Sequence, residues 1–574
     1  MAREKINLLM ILAIVGLLLI GSAVSAVSGK ETQNISEKDA NDQQDTKYND
    51  WYSNCYTTDP EIKNESEIKN IILMVPDGCS QSVQTIARLY SGEELQLDSM
   101  VAGMVSTYMS DSLITDSASA ATAFSTGYKT SDGALSVGPN PATLLSIIDP
   151  ATVAEPYVPL ATVLEGTKLN GKATGLVATS EIPHATPAAF ASHVESRKQY
   201  DDIIEQMVYQ DIDVVFAGGE DFLNDSRQDG ENLTKVLIDR GYQFVETEDE
   251  MMALTSGKTW GMFAGVAMSP EIDRQYAAPE QPHIANMTGK AIELLSQDED
   301  GFFLMVEGSQ VDWAGHANDP TYMVTDFLAF DEAVEVAVNF AKIDGNTLVI
   351  VFPDHNTGGM TLGSNYDPSY TKTTVEDLVD PLKNMTCTYA YLEGQIQDMN
   401  NTTEVHDKVF NWMGIDLTSD ELNETVSSGN FDALKNIINN KHTIIGWTSD
   451  GHCGEDVPLW AYGPGSLSGR VDNTEIATYI AEEFSFSLDN TSNKLFVDVD
   501  EAFPGNYVLD NADPKNLVLN IGEYKLPVNK NVLIDSKGIE HELEGIVIYA
   551  PKASDGKGKV YIPQQAVDLI NNMI

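Results

Sequence analysis

The sequence predicts an α/β protein: a mostly parallel central sheet flanked by helices, with a small β-rich C-terminal domain. Three observations predict it. Strongly apolar runs of strand length recur at residues 68–75, 301–306 and 346–352, and runs without polar alternation typify strands covered on both faces. Helical patterns lie between them, as at 201–210 and 325–342. Strand alternating with helix gives a parallel sheet sandwiched between helical layers. From about Leu488 the helical pattern stops and short alternating runs take over.

Taken in order, the 574-residue chain begins with Arg3 and Lys5, an apolar run from Ile6 to Ile20, and small residues ending Val24-Ser25-Ala26. This is the layout of a signal peptide over residues 1–26, with an uncleaved N-terminal anchor as the alternative. It predicts export to an extracellular, periplasmic or cell-envelope location. Residues 27–66 are polar and acidic and read as a disordered tether. The main domain is expected over 67–487. Its apolar run 68–75 ends in Pro76-Asp77-Gly78, the run 301–306 in Glu307-Gly308, and the run 346–352 in Pro353-Asp354-His355. Residues 175–179 and 212–216 read as further core strands. Between 359 and 448 the pattern loosens into polar loops and short helices, which reads as an insertion near the site. Residues 488–574 are expected to form the C-terminal domain, with β-like runs at 516–521, 546–549 and 559–562 and a terminal helix over 564–574.

Composition excludes some partners. Net charge is −53, from 87 acidic and 34 basic residues, and such a surface repels nucleic acid and anionic lipid. No nucleic-acid-binding module is expected, and no membrane contact beyond the N-terminal anchor. The acidity fits a high-salt habitat, where screening relieves self-repulsion. Asn-x-Ser/Thr sequons from Asn34 to Asn490 allow surface glycosylation. Cys55, Cys79, Cys387 and Cys453 are too few for a disulfide scaffold, and their three full pairings are not separable by sequence.

The stretch Leu113–Gly127 (LITDSASAATAFSTG) is rich in Ser, Ala and Thr. Thr115-Asp116-Ser117 is a helix N-terminus signal, and a serine in the first helical turn lies near free backbone N–H groups and the positive end of the helix dipole. Asp77, Glu307, Asp354 and His355 fall at predicted strand ends, where open α/β sheets bind ligands. Asp312 and His316 are four residues apart and share a face if helical, as paired metal ligands can. His452 stands in the glycine-flanked stretch Asp450-Gly451-His452-Cys453-Gly454. His193, His283, His406, His442 and His541 lack such company and read as structural or surface histidines.

These motifs, with Thr115-Asp116-Ser117-Ala118, Ala185-Thr186-Pro187, His193-Val194-Glu195-Ser196-Arg197 and Ala461-Tyr462-Gly463-Pro464, match in order those of alkaline phosphatases. The resemblance runs from about residue 68 to 485. It implies the alkaline phosphatase fold over a catalytic domain at 67–487. It also implies hydrolysis of small phosphate monoesters through a phosphoserine, and a site of two Zn²⁺ ions plus a third metal, usually Mg²⁺. Position by position, it implies that Asp312, His316 and His452 hold the first zinc, and that Asp77, Asp354, His355 and the Ser117 oxygen hold the second. Asp77, Glu307 and Thr186 would hold the third metal. Arg197 would clamp phosphate and Asp116 would orient that arginine. His184 and Trp313 occupy positions that tune the affinity for the third metal and phosphate. Pro76 and Cys79 depart from the family's common glycine and methionine. A homodimer is left open.

Two rivals stand beside this reading: a phosphodiesterase or phosphonate hydrolase of the same superfamily, and a surface binding protein with a vestigial metal centre. Two decoys fail. Gly257-Lys258-Thr259 resembles the end of a phosphate-binding loop, but residue 252 is Met where that loop needs Gly. No Gly-x-Ser-x-Gly elbow surrounds Ser117, which argues against an α/β-hydrolase esterase.

Overall fold

The structure, a computed structural model, describes residues 68–224, 227–364 and 370–573. The expected signal peptide and tether, and Cys55, lie outside the described residues. Ten strands form the main sheet: β1 (Asn70–Val75), β2 (Val101–Ser106), β3 (Ala173–Glu181), β4 (Val214–Gly218), β5 (Gln243–Val245), β6 (Thr259–Met262), β7 (Phe302–Glu307), β8 (Thr347–Val351), β9 (Val457–Tyr462) and β10 (Gly469–Asp472). Their order is β10-β2-β9-β8-β1-β7-β3-β4-β6-β5. Only β9 runs against its neighbours, pairing antiparallel with β2 and β8.

Every residue of β1 is buried, and its alternate side chains enter two different cores. Ile72 and Met74 join Val306 and Val351 on one face. Ile71, Leu73 and Val75 join Phe303 and Ile350 on the other. A strand covered on both faces is apolar along most of its length, and in β1 the one polar residue, Asn70, donates to Thr347 Oγ1 at 3.0 Å. The registers Val75↔Glu307 and Met74↔Val351 bring the carboxyl ends of β1, β7 and β8 side by side. Asp77, Glu307 and Asp354 therefore emerge at one edge, although they are far apart in sequence.

One helical layer contains helix Pro320–Asp344, capped by Asp319, which accepts from Tyr322 N at 3.1 Å. The opposite layer contains helix Ser117–Thr126, whose ten residues are all buried. Its small side chains allow close packing against helix Asn473–Glu483, and Phe124 meets Phe352 edge-on at 5.2 Å. Between 359 and 448 the described chain forms short helices, among them Val375–Asn384, Tyr389–Gln395 and Thr402–Met413. Their Leu382, Leu392 and Val405 continue the core of the first face.

The C-terminal region is β-rich. A five-stranded antiparallel sheet spans 507–542, and a three-stranded one joins Val497–Asp498, Lys559–Ile562 and Ile548–Ala550. Leu519, Leu526, Leu533, Ile562 and Ile570 form a separate core there. The expected end of helical structure at Leu488 is corrected: helices Leu488–Leu495 and Val499–Ala502 come first. Ser487 caps the former, and Leu488, Thr491 and Leu495 bury one narrow face. The polar run Asp489–Lys494 hides that periodicity in the sequence. Cys79, Cys387 and Cys453 are free thiols, so none of the three full pairings forms. Among the described residues no helix is long and apolar enough to cross a membrane.

Candidate metal centre and nucleophile

Ser117 is the first residue of its helix, and Asp116 is the cap. One Asp116 oxygen accepts from Ser119 N at 2.9 Å and from Ser119 Oγ at 2.7 Å. The other accepts from Arg197 Nη1 at 3.1 Å. Burial would raise the Asp116 carboxyl, but Arg197 and Ser119 outweigh it and hold it below the usual range. Ser117 Oγ is freed from capping by this arrangement. It stands 3.2 Å from His355 Nε2.

Beyond β1 the chain turns sharply through Gly78. At its φ of +72°, a Cβ would lie 2.6 Å from Asp312 Cα, so only glycine fits. Gly78 N and His355 N both donate to Asp354 Oδ1, at 3.1 and 2.9 Å. Asp354 Oδ2, both oxygens of Asp77, both of Glu307, and Thr186 Oγ1 are buried without a hydrogen-bond partner. Buried oxygens rarely go unpaired. Burial, then neighbouring carboxylates, push Asp77 well above the ordinary carboxylate range, and burial pushes Glu307 up to about 8. Carboxylates crowded this way call for a cation.

Asp312 and His316 do lie on one helix, Gln310–Ala317, with His316 Nε2 3.4 Å from Asp312 Oδ2. The backbone fixes the proton on each imidazole of this group. His316 Nδ1 is 2.6 Å from Asp450 O, and His452 Nδ1 is 2.7 Å from Thr115 O. A carbonyl can only accept, so each Nδ1 carries hydrogen and, in the neutral ring, each Nε2 offers a lone pair. These two Nε2 atoms face each other at 3.2 Å. The hydrogen bond to Asp312 raises His316 to about 9, so its Nε2 carries a proton that a bound cation would displace. With that proton gone, two lone pairs converge beside a carboxylate, a metal-ligand arrangement.

His355 sits between the groups. Its Nε2 is 3.1 Å from Asp354 Oδ2 and 3.6 Å from Asp77 Oδ1. Its ring stacks on His452 with centroids 3.6 Å apart. Thr357, two residues on, links it to the other group: Thr357 Oγ1 lies 3.2 Å from His355 Nδ1 and donates to Asp312 Oδ1. Three sets of potential ligands result: Asp312, His355 and His452; Asp77, Asp354 and His355; and Asp77, His184 and Glu307. All three sets mix nitrogen and oxygen donors, and Thr186 Oγ1 is among the buried unpartnered oxygens.

His184 has a different role from its neighbours. Arg197 Nη2 lies 3.0 Å from His184 Nε2, and an arginine can only donate. Burial, then the Arg197 charge, hold His184 down to about 3, so the ring is neutral and its proton is on Nδ1. His184 thus braces Arg197 as an acceptor, with Trp313 edge-on at 5.7 Å.

The contacts above bring together Asp77, Asp116, Ser117, His184, Arg197, Glu307, Asp312, Trp313, His316, Asp354, His355 and His452. Sequence reasoning missed Thr357 and the carbonyls of Thr115 and Asp450. A threonine next to Asp354-His355 gives little signal, and a carbonyl gives none. His193 is a buried structural histidine, between Glu165 Oε1 and Ser136 O, each at 3.0 Å. Thr259 of the loop decoy lies in β6, and Lys258 pairs with Asp211 at 2.8 Å.

Comparison with known proteins agrees with the resemblance. The alkaline phosphatase family profile matches residues 68–485. "Alkaline phosphatase 3" of Bacillus subtilis is 36% identical over 449 residues, covering 74% of this chain and 91% of that protein. The crystal structure of a cold-active alkaline phosphatase from a psychrophilic Shewanella superposes with a TM-score of 0.62 at 31% identity, over 72% of this chain and 99% of that one. A mutant alkaline phosphatase from the Antarctic bacterium TAB5, solved with Mg bound, gives 0.53 at 28% identity, over 74% and 100%.

Proposed function

The chain belongs to the alkaline phosphatase family and is a phosphatase, and from that premise we propose that it hydrolyses phosphate monoesters through a phosphoserine formed on Ser117. One observation carries the monoester reading: Arg197 is held between His184, at 3.0 Å, and Asp116, the residue that precedes Ser117, at 3.1 Å. A guanidinium braced from two sides matches two non-bridging phosphate oxygens.

Asp312, His316 and His452 would hold one zinc ion, and Asp77, Asp354, His355 and the Ser117 oxygen a second. Asp77, Glu307 and Thr186 would hold a third, hard cation. Mg²⁺ is the choice that the Mg-bound TAB5 relative supports. The unpartnered oxygens of Asp77, Glu307, Asp354 and Thr186 and the paired Nε2 atoms fit such ions. When bound, the ions supply Lewis acidity at the attacking and leaving oxygens. The residues do the rest. Arg197 orients the phosphoryl group. Ser117 Oγ, at the amide-rich helix end, attacks phosphorus in line as the ester oxygen leaves on the opposite side. Water then attacks the phosphoserine in line, releasing phosphate and restoring the hydroxyl.

The same reading takes 67–487 as the catalytic domain, 359–448 as an insertion near the site, and 488–574 as a separate domain. It takes the protein to be exported by the segment 1–26. The test is a side-by-side assay of p-nitrophenyl phosphate and bis-p-nitrophenyl phosphate, before and after chelation. Strong monoester turnover that chelation abolishes is expected. A preference for the diester would replace the reading with a phosphodiesterase, and no turnover of either would leave a vestigial centre.

A further inference from the structure

The site meets solvent at His316. Asp77, Asp354 and His355 are fully buried, whereas the His316 side chain is 41% exposed. On this open side the chain presents apolar residues where solvent would favour polar ones. Leu113 is 60% exposed and Ile114 46%, four and three residues before Ser117.

Their position relative to the metal ligands is fixed by contacts. Thr115 O accepts from His452 Nδ1 at 2.7 Å. A Cβ on Gly454 would lie 3.0 Å from Leu113 O and 3.2 Å from Ile114 Cγ1. Residues 113–115 therefore run alongside 452–454. A second apolar segment is pinned to the same turn: Leu145 N donates to Ser110 O at 2.9 Å, and Thr143 Oγ1 to Asp111 Oδ2 at 3.2 Å. That segment exposes Ile147 at 66%. The surroundings are acidic: Asp132 N donates to Asp111 Oδ1 at 3.1 Å.

We propose that Leu113 and Ile114, extended by Ile147, form a contact surface for the alcohol portion of the substrate, so that the enzyme favours monoesters of neutral, apolar alcohols. This rests on the phosphomonoesterase reading. In-line attack by Ser117 sends the leaving oxygen to the far side of phosphorus, and the half-exposed His316 marks where the site meets solvent. The apolar side chains stand beside His452 on that open side. An alkyl or aryl group there removes apolar surface from water on both partners. A charged leaving group meets carboxylates instead.

The test uses the full-length enzyme and the series ethyl, butyl and hexyl phosphate, whose leaving groups have nearly the same pKa. Wild-type kcat/KM should rise with chain length by about two- to fourfold per methylene, the range from partial to full burial. The double variant Leu113→Ser/Ile114→Ser should flatten the series, and Ile147→Ser should reduce the slope for hexyl phosphate alone. A flat wild-type series, or an unchanged slope in the double variant, overturns the inference while hydrolysis of ethyl phosphate upholds the activity. Failure to hydrolyse any alkyl monoester would instead remove the phosphomonoesterase reading. Sedimentation velocity supplies the remaining arm. A wild-type dimer that the double variant splits into monomers, with the slope intact, would make the patch a subunit interface and overturn the inference.

Discussion

Asp116 and Arg197 are joined by one hydrogen bond, Oδ2 to Nη1 at 3.1 Å, while the other oxygen of Asp116 caps the nucleophile helix at Ser119 N. The two jobs can be separated. Asn caps a helix about as well as Asp, so Asp116→Asn should leave the melting temperature nearly unchanged. It should lower monoester kcat/KM by about tenfold or more, as expected for a lost charge-assisted partner. Asp116→Ala should show the same kinetic loss and cost about 1 kcal/mol of stability besides. Equal activity of Asp116→Asn and wild type would mean that the carboxylate does not position Arg197.

Metal removal should be visible in folding as well as in catalysis. Asp77, Glu307 and Asp354 crowd unpartnered carboxylate oxygens into one buried space, and a cation that binds only the folded state stabilises it. Chelation should abolish turnover and lower the melting temperature, and Zn²⁺ should restore both. Full activity with unchanged melting in protein shown by elemental analysis to be metal-free would refute the metal centre.

Alkaline pH should act through Lys129. Its side chain is wholly buried, 2.9 Å from Asp472 and 3.9 Å from the Tyr108 ring centroid. Burial outweighs the pull of Asp472 and lowers the Lys129 ammonium from 10.5 to about 8. Between those values the unfolded chain binds the proton that the folded one has released, so this group makes stability rise with pH across the window. The contribution is about 1–3 kcal/mol. Lys129→Met should remove it, which denaturant titrations of both proteins at pH 8 and pH 10.5 would show. An equal rise in both would assign the effect elsewhere.

Much of this was legible in the sequence because the buried central strands are apolar over their last residues, Ile71–Val75 and Leu348–Val351, before the carboxylates appear. Asp77, Glu307, Asp354 and His355 were conspicuous at those ends, and the Asp312–His316 spacing was conspicuous on a helix. The antiparallel course of β9 was not, because Val457–Tyr462 has the composition of any buried strand and direction depends on its connections. Nor was the position of His355 beside His452, since a ring stack across 97 residues of sequence has no local pattern. Imidazole tautomers set by the Thr115 and Asp450 carbonyls belong to geometry alone. The helix at Leu488 was hidden by its polar exposed face.

Salt should stabilise the protein. The net charge of −53 produces self-repulsion in any compact state, and molar salt shortens the Debye length to about 3 Å. The melting temperature should rise through the molar range of NaCl or KCl. A flat or falling curve would remove the high-salt interpretation without touching the catalytic one.

Arg197 gives the sharpest division between monoesterase and diesterase. A monoester offers three non-bridging oxygens, and two can accept the guanidinium fork. A diester has an alkoxy group in place of one of them and carries less charge. Arg197→Ala should therefore lower kcat/KM for p-nitrophenyl phosphate by about 30- to 1000-fold, equivalent to about 2–4 kcal/mol of transition-state stabilisation. The loss for the matched diester should be smaller. Arg197→Lys should recover only part of the monoester loss, because an ammonium supplies a point charge without the fork. His184→Ala keeps the arginine but removes the acceptor 3.0 Å from its Nη2, so it should give an intermediate loss. If mono- and diester rates fall equally in Arg197→Ala, or the diester falls more, Arg197 is not a monoester clamp and the phosphodiesterase reading takes over.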